Sequence, residues 1–209
     1  QSYVDYMNKF GNHNVSGMLL WNIDQYDNNA PGNLVASLPR RKMGFAGRLS
    51  YDYDNRYMFE VNAGYNGSEN FAKGHKWGFF PSVAVGWNVS QENFFEPLKD
   101  VISNLKLRAS YGLVGNDQLL DSSGGLIRFI YMSDITLQSE NAGFTTGDKQ
   151  QITLNGPIYT RYQNNDLTWE VGEKLNVGFD MQLFNSLNVT VDAFREIRRD
   201  IFQQRYSIP

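Results

Sequence analysis

The sequence predicts an all-β protein, an antiparallel sheet of about eight strands built like a segment of a transmembrane β-barrel. Three observations carry this. Apolar residues recur at every second position through most of the chain, the period at which a strand sends successive side chains to opposite faces. Short connections alternate with long polar ones, as in outer-membrane barrels, where the short turns are periplasmic. The longest bulky apolar run is Met18-Leu19-Leu20-Trp21, far short of the roughly 18 residues that a membrane helix needs.

In chain order, 2–10 alternates weakly, whereas 14–27 places Val15, Leu19, Trp21 and Ile23 in phase. Over 43–53, Met43, Phe45, Gly47, Leu49, Tyr51 and Tyr53 oppose Gly44, Ala46, Arg48, Ser50 and Asp52; over 57–65, Tyr57, Phe59, Val61, Ala63 and Tyr65 oppose Met58, Glu60, Asn62 and Gly64. The stretch 78–95, GFFPSVAVGWNVSQENFF, shows Phe79, Pro81, Val83, Val85, Trp87 and Val89 on one face and a small polar set after Phe80 on the other. Taken alone, such a strand suits a soluble sheet on a core or a barrel in lipid. Leu105, Leu107, Ala109, Tyr111 and Leu113 continue the pattern. So do 169–183, where Glu173 interrupts the apolar set, and 187–193, after which Phe194 breaks phase. QENFFEPLKDVIS, within 90–104, is compatible with a helical turn or two.

Three-residue links at 54–56 and 184–186 set the register. Tyr53 then faces Tyr57, Leu49 faces Val61, Phe45 faces Tyr65, Leu183 faces Leu187 and Lys174 faces Glu196. Long segments fall at 28–41, 66–76 and 115–167.

Net charge is −3 and the isoelectric point about 5.4, which argues against nucleic acid as a partner. Mean hydropathy is −0.47. Aromatic residues make up 14% of the chain, a share suited to strands and to membrane-interface belts. Cysteine is absent, so a disulfide framework and a thiolate metal site are both excluded.

Four motifs in order, GRLSYDYDNRYMFEVNAGYNGSENF, WGFFPSVAVGWNVSQENFF, LKLRASYGLVGN and DLTWEVGEKLNVGFDMQLFNSLNVTVDAFR, resemble the barrel of SusC/RagA-type TonB-dependent transporters. Tyr3 to Trp21 fits the preceding hairpin. The resemblance implies a large plugged barrel in the bacterial outer membrane that imports oligosaccharides or peptides. A SusD-like surface lipoprotein would be its partner, TonB, ExbB and ExbD would energise it, and the lipid bilayer would surround it. No plug-like or TonB-contacting region is expected within 1–209, and the residues from Arg205 to Pro209 do not read as a membrane strand with a terminal aromatic. An internal piece of a longer barrel is therefore expected, with 115–167 as a long external loop and the first and last strands unpaired to each other. Two other readings remain: a complete eight-stranded outer-membrane barrel with an adhesive or structural role, and a soluble β-sandwich that binds carbohydrate.

Alternation places Arg48, Glu60, Lys106, Arg108, Lys174 and Asp180 toward a lumen. Trp77, Phe79 and Phe80 gather where a long connection becomes a strand; they read as a platform for a sugar or peptide, or, as general belts favour, as an interfacial girdle. His13 and His75 have no second histidine or cysteine nearby and read as solvated loop residues. Asp180, Asp192 and Glu196 share a face without a nucleophile and base beside them, so no enzyme, catalytic residue, metal site or cofactor is expected.

Overall fold

The computed structural model describes residues 1–29, 37–120, 125–150 and 152–203. Part of the long segment 28–41 and the end from Arg205 to Pro209 lie outside the described residues.

Eight long strands form one antiparallel sheet. They are β1 (Ser2–Phe10), β2 (His13–Tyr26), β3 (Arg40–Tyr53), β4 (Tyr57–Ser68), β5 (Trp77–Asn88), β6 (Ile102–Asn116), β11 (Glu170–Leu183) and β12 (Leu187–Arg199). Their spatial order is β1-β2-β3-β4-β5-β6-β11-β12, each strand pairing antiparallel with the next. Among the described residues β1 and β12 do not pair with one another, so the sheet is open and the complete eight-stranded barrel is set aside.

The turn arithmetic holds: Tyr53 lies opposite Tyr57, Leu49 opposite Val61, Phe45 opposite Tyr65, Leu183 opposite Leu187 and Lys174 opposite Glu196. Both turns are built alike. Asp54 and Asn55, and again Phe184 and Asn185, take positive φ near 50°. The Arg56 amide then donates to the Tyr53 carbonyl at 2.8 Å, and the Ser186 amide to that of Leu183 at 3.0 Å. Paired left-handed residues match the strand twist, and Asn and Asp tolerate that region best. The first hairpin is tighter than its sequence suggests, with Phe10 opposite His13 across Gly11 at φ +61°.

Residues 11–12, 54–56, 89–101 and 184–186 lie at one edge of the sheet; the chain leaves β2, β4 and β6 at the other. Two 3-10 turns, Val89–Gln91 and Asn93–Leu98, fill the longer link at the short-turn edge. Within 117–169 the chain forms β7 (Leu119–Leu120) with β8 (Leu126–Ile127), and a long irregular hairpin of β9 (Asp134–Thr146) with β10 (Ile152–Arg161).

Every buried hydrophobic residue among those described lies outside the eight long strands: Phe71, Ala72, Val89, Phe95, Phe129, Ile130 and Trp169. On the apolar face Leu49 is 53% exposed, Val85 51% and Val177 52%. A sandwich would bury that face against a second sheet, so the soluble module is set aside too.

Candidate functional site

The register fixes the two faces. One cross-strand row runs through Met18, Arg48, Asn62, Ser82, Gly112, Lys174 and Glu196. Two residues along, another runs through Ser16, Ser50, Glu60, Ala84, Ser110 and Asn176; the next contains Asn14, Asp52, Met58, Gly86, Arg108, Gly178 and Asp192. Lys106 lies opposite both Asn88 and Asp180 on the same face. All six charged residues picked out from the sequence therefore share the polar face, and small residues separate them.

These charges are largely matched. Arg108 Nη2 reaches Asp192 at 2.8 Å and Asp180 at 3.3 Å, and Asp180 also accepts from the Thr190 hydroxyl at 3.0 Å. Glu60 accepts from Ser50 Oγ at 3.0 Å and Asn62 Nδ2 at 2.8 Å, with Arg48 Nε 3.8 Å away. Glu196 takes Arg198 at 2.7 Å and Lys174 at 3.9 Å. Lys106 alone of the six makes no hydrogen bond or ion pair among the described residues. Such a face suits contact with water and polar solutes, and Asp52, Glu60, Asp180, Asp192 and Glu196 each have a cation or hydrogen-bond donor beside them.

The opposite face carries aromatic residues at both edges. His13 Nδ1 lies 2.8 Å from the Tyr51 hydroxyl, and its ring tilts against Tyr53 at 4.9 Å; it is exposed, as its sequence position suggests, but opens β2 instead of lying in the turn. Near the short turns Glu92 accepts from the Tyr57 hydroxyl at 2.6 Å and the Trp87 indole N–H at 3.1 Å, with Arg56 Nη1 at 3.4 Å. Chiefly the Tyr57 hydrogen bond, then that of Trp87, holds the Glu92 carboxyl below the usual carboxylate range. At the other edge Trp21 stacks on Phe45 and Tyr65 on Trp77, the latter pair 4.8 Å apart. Trp77 and Trp87 end a strand of 12 residues, which at about 3.3 Å per residue and a tilt of about 40° spans about 30 Å, the thickness of a bilayer's hydrocarbon core.

The three candidate aromatics do not form one platform. Trp77 and Phe79 stand on the apolar face, whereas Phe80 turns to the polar face, edge-on to Trp169 at 5.2 Å. A Cβ at Gly78 or Gly115 would run into the Phe80 ring. Gly115, next to last in β6, thus admits the ring by lacking a Cβ.

Phe71 and Ile130 join Trp169 in a small core, and the Trp169 indole donates to the Lys76 carbonyl at 3.2 Å. Beside it, buried Asp117 pairs with Lys42 Nζ at 2.9 Å and accepts from Ser68 Oγ at 2.7 Å; its carbonyl takes Asn70 Nδ2 at 2.8 Å. Sequence reasoning assigned neither Asp117 nor Glu92 a role, although Glu92 falls in WGFFPSVAVGWNVSQENFF and Asp117 directly follows LKLRASYGLVGN. Trp87 apart, their side-chain partners lie 35 or more residues away, so alternation carries no sign of them.

A sheet with an apolar face banded by aromatics, a charged but balanced reverse, short turns at one edge and long connections at the other defines the wall of an outer-membrane-type β-barrel. Residues 2–209 match the family model described as TonB dependent receptor-like, beta-barrel, and the chain belongs to that family. It is 33% identical over 143 residues to the TonB-dependent receptor SusC of Bacteroides thetaiotaomicron, covering 68% of this chain and 13% of SusC. To TonB-dependent receptor P3 of Formosa agariphila it is 28% identical, covering 98% of this chain and 22% of that receptor. Among solved structures it resembles one described as the RagAB peptide transporter, with a TM-score of 0.70 and 18% identity over 95% of this chain and 23% of the other; this likeness bears on the fold. The chain thus spans less than a quarter of the length of these relatives, which are named as receptors and a transporter.

Proposed function

We propose that this chain is part of the barrel wall of a TonB-dependent outer-membrane importer that takes up oligosaccharides or peptides together with a SusD-like surface lipoprotein. The observation that carries this is the two-sidedness of the open sheet. Its apolar face has no protein core to cover it, and lipid supplies that cover. Its polar face, with Arg48, Glu60, Lys106, Arg108, Lys174 and Asp180, lines the lumen. In this reading 117–169 lies outside the cell, Trp77 and Phe79 belong to the outer girdle, and Phe80 packs inside it. The plug and the segment that meets TonB belong to other parts of the parent protein. Membership of the TonB-dependent receptor family and the likeness to SusC support the reading.

The test is uptake by cells with and without the full-length parent, using fluorescent oligosaccharide and peptide pools. Loss of uptake of one pool on deletion of the parent, and again on collapse of the proton-motive force, is expected. Uptake indifferent to both treatments contradicts the proposal. Co-purification of a lipoprotein with the parent tests the partner.

A further inference from the structure

The tight turns at the short-turn edge are polar with one exception. Gly11-Asn12 and Asp54-Asn55-Arg56 close two of them, whereas Phe184-Asn185-Ser186 closes the other. Phe184 takes the place that Asp54 holds in the matching turn and, like it, a positive φ, at +50°. Asp tolerates this left-handed region because its short polar side chain can hydrogen-bond locally; a bulky ring has no such compensation. The ring does not recover the cost by packing on the protein either, since it is 63% exposed. A strained residue with no return inside the fold points to something outside it.

Phe184 is part of a larger patch. Its amide donates to the Val101 carbonyl at 3.0 Å, and that of Asn185 to Ser103 Oγ at 2.9 Å, so the turn is tied to the end of the link 89–101. Leu98 and Val101 of that link are exposed, as are Phe94 before them and Leu187 after the turn. Leu187 and its cross-strand partner Leu183 carry the patch onto the apolar face of the sheet. That face is not fringed evenly. At the short-turn edge β1, β3, β4 and β5 end or begin in Phe10, Tyr53, Tyr57 and Trp87, but β6, β11 and β12 in Ile102, Leu183 and Leu187. Along these three strands no amphipathic ring marks the water boundary, and the next aromatic residue outward is Phe184 itself.

The charges of the link narrow the partner. Glu96 and Lys99 neutralise each other at 2.6 Å, and Glu92 is taken by Tyr57, Trp87 and Arg56. Asp100 is exposed and has no side-chain partner among the described residues. A lone carboxylate beside exposed apolar residues suits the ammonium of a zwitterionic headgroup and is repelled by an anionic surface.

We propose that Phe184, Leu98 and Val101 form a lip that enters the lipid leaflet at the short-turn edge, with Asp100 against the ammonium of a zwitterionic phospholipid. This arc of the wall then sits deeper in the leaflet than the arc closed by 54–56. The inference rests on the barrel-wall reading and goes beyond it by placing connections, and not only strands, in lipid.

The test uses a cysteine-free full-length parent in liposomes of phosphatidylethanolamine and phosphatidylcholine, spin-labelled through Asp54→Cys, Leu98→Cys or Phe184→Cys. Heat-modifiable migration on a gel shows which variants are folded; should Phe184→Cys fail there, Leu98→Cys carries the test. The ratio of oxygen collision to collision with a water-soluble relaxant is expected to be several-fold higher at 98 and 184 than at 54. A ratio at either position no higher than at 54 overturns the lip and leaves the patch free for a soluble protein. Protection from both reagents overturns it as well, because the parent itself then covers the patch. A label at Leu49 separates the two readings: lipid contact at 49 with water at 184 removes the lip alone, whereas water at 49 removes the wall reading with it. Exchanging the zwitterionic lipids for phosphatidylglycerol should lower the ratio at 98, and Asp100→Asn should abolish that difference. A ratio that ignores the headgroup overturns the ammonium contact.

Discussion

The two edges of the sheet are held by different means. At the short-turn edge the backbone does most of the holding. The Asp54 amide donates to the Asn12 carbonyl at 2.7 Å, that of Asn88 to Arg56 at 2.8 Å and that of Phe184 to Val101 at 3.0 Å, so each turn is tied to its neighbour. At the long-connection edge, side chains distant in sequence build a small interior of Phe71, Ile130 and Trp169 beside the Asp117 cluster. Between the edges the strands have no protein core. In the proposed setting burial is thus kept for the places where chain leaves the membrane, and the span depends on ladder hydrogen bonds and on lipid.

The comparison can be broken most readily at the long-connection edge. Trp169→Ala removes the ring against which Phe71 and Phe80 pack and is expected to lower the local opening free energy by about 3 to 5 kcal/mol. Protease cleavage within 125–150 of the full-length parent should then rise steeply while the strands stay protected. Asp117→Ala leaves Lys42 and Ser68 without their shared acceptor and should cost about 1 to 3 kcal/mol. Hydrogen exchange at residues 66–71 reads that loss, and unchanged exchange would show that the cluster holds nothing.

A smaller effect is expected at the other edge. Glu92 is held below its ordinary value of 4.5 by the Tyr57 and Trp87 hydrogen bonds. A group with a depressed folded pKa contributes stability that is present above the ordinary value and lost as pH falls through the depressed one. Trp87 emission should therefore stay constant down to pH 4.5 and change only below it, and Glu92→Gln should abolish that acid step. The smallest effect belongs to the exposed pairs of the polar face: Lys174→Met should change barrel stability by less than about 0.5 kcal/mol, measured by urea unfolding in detergent.

The same division explains what could be read from the sequence. Strand identity, register and face followed from a period of two and from short turns, because a one-residue slip would reverse every side chain. Leu49 with Val61 and Lys174 with Glu196 were legible for that reason. The edge details were not. Phe80 was grouped with Trp77 and Phe79 by proximity, though alternation sends it to the other face, where glycines at 78 and 115 make room for its ring. β9 and β10 lie in a polar stretch with irregular pairing, which leaves no clean alternation to follow. Asp117 and Glu92 act through partners on other strands, and no local period records such contacts.

The central claim is that the bare apolar face meets lipid and the charged face meets the lumen. Adjacent residues of β3 test it most directly, because Leu49 and Ser50 point to opposite faces. Spin labels at these two positions in the full-length parent, reconstituted in liposomes, should report collision with oxygen at 49 and with a water-soluble relaxant at 50. The reverse pattern, or water access at both positions, would contradict the account.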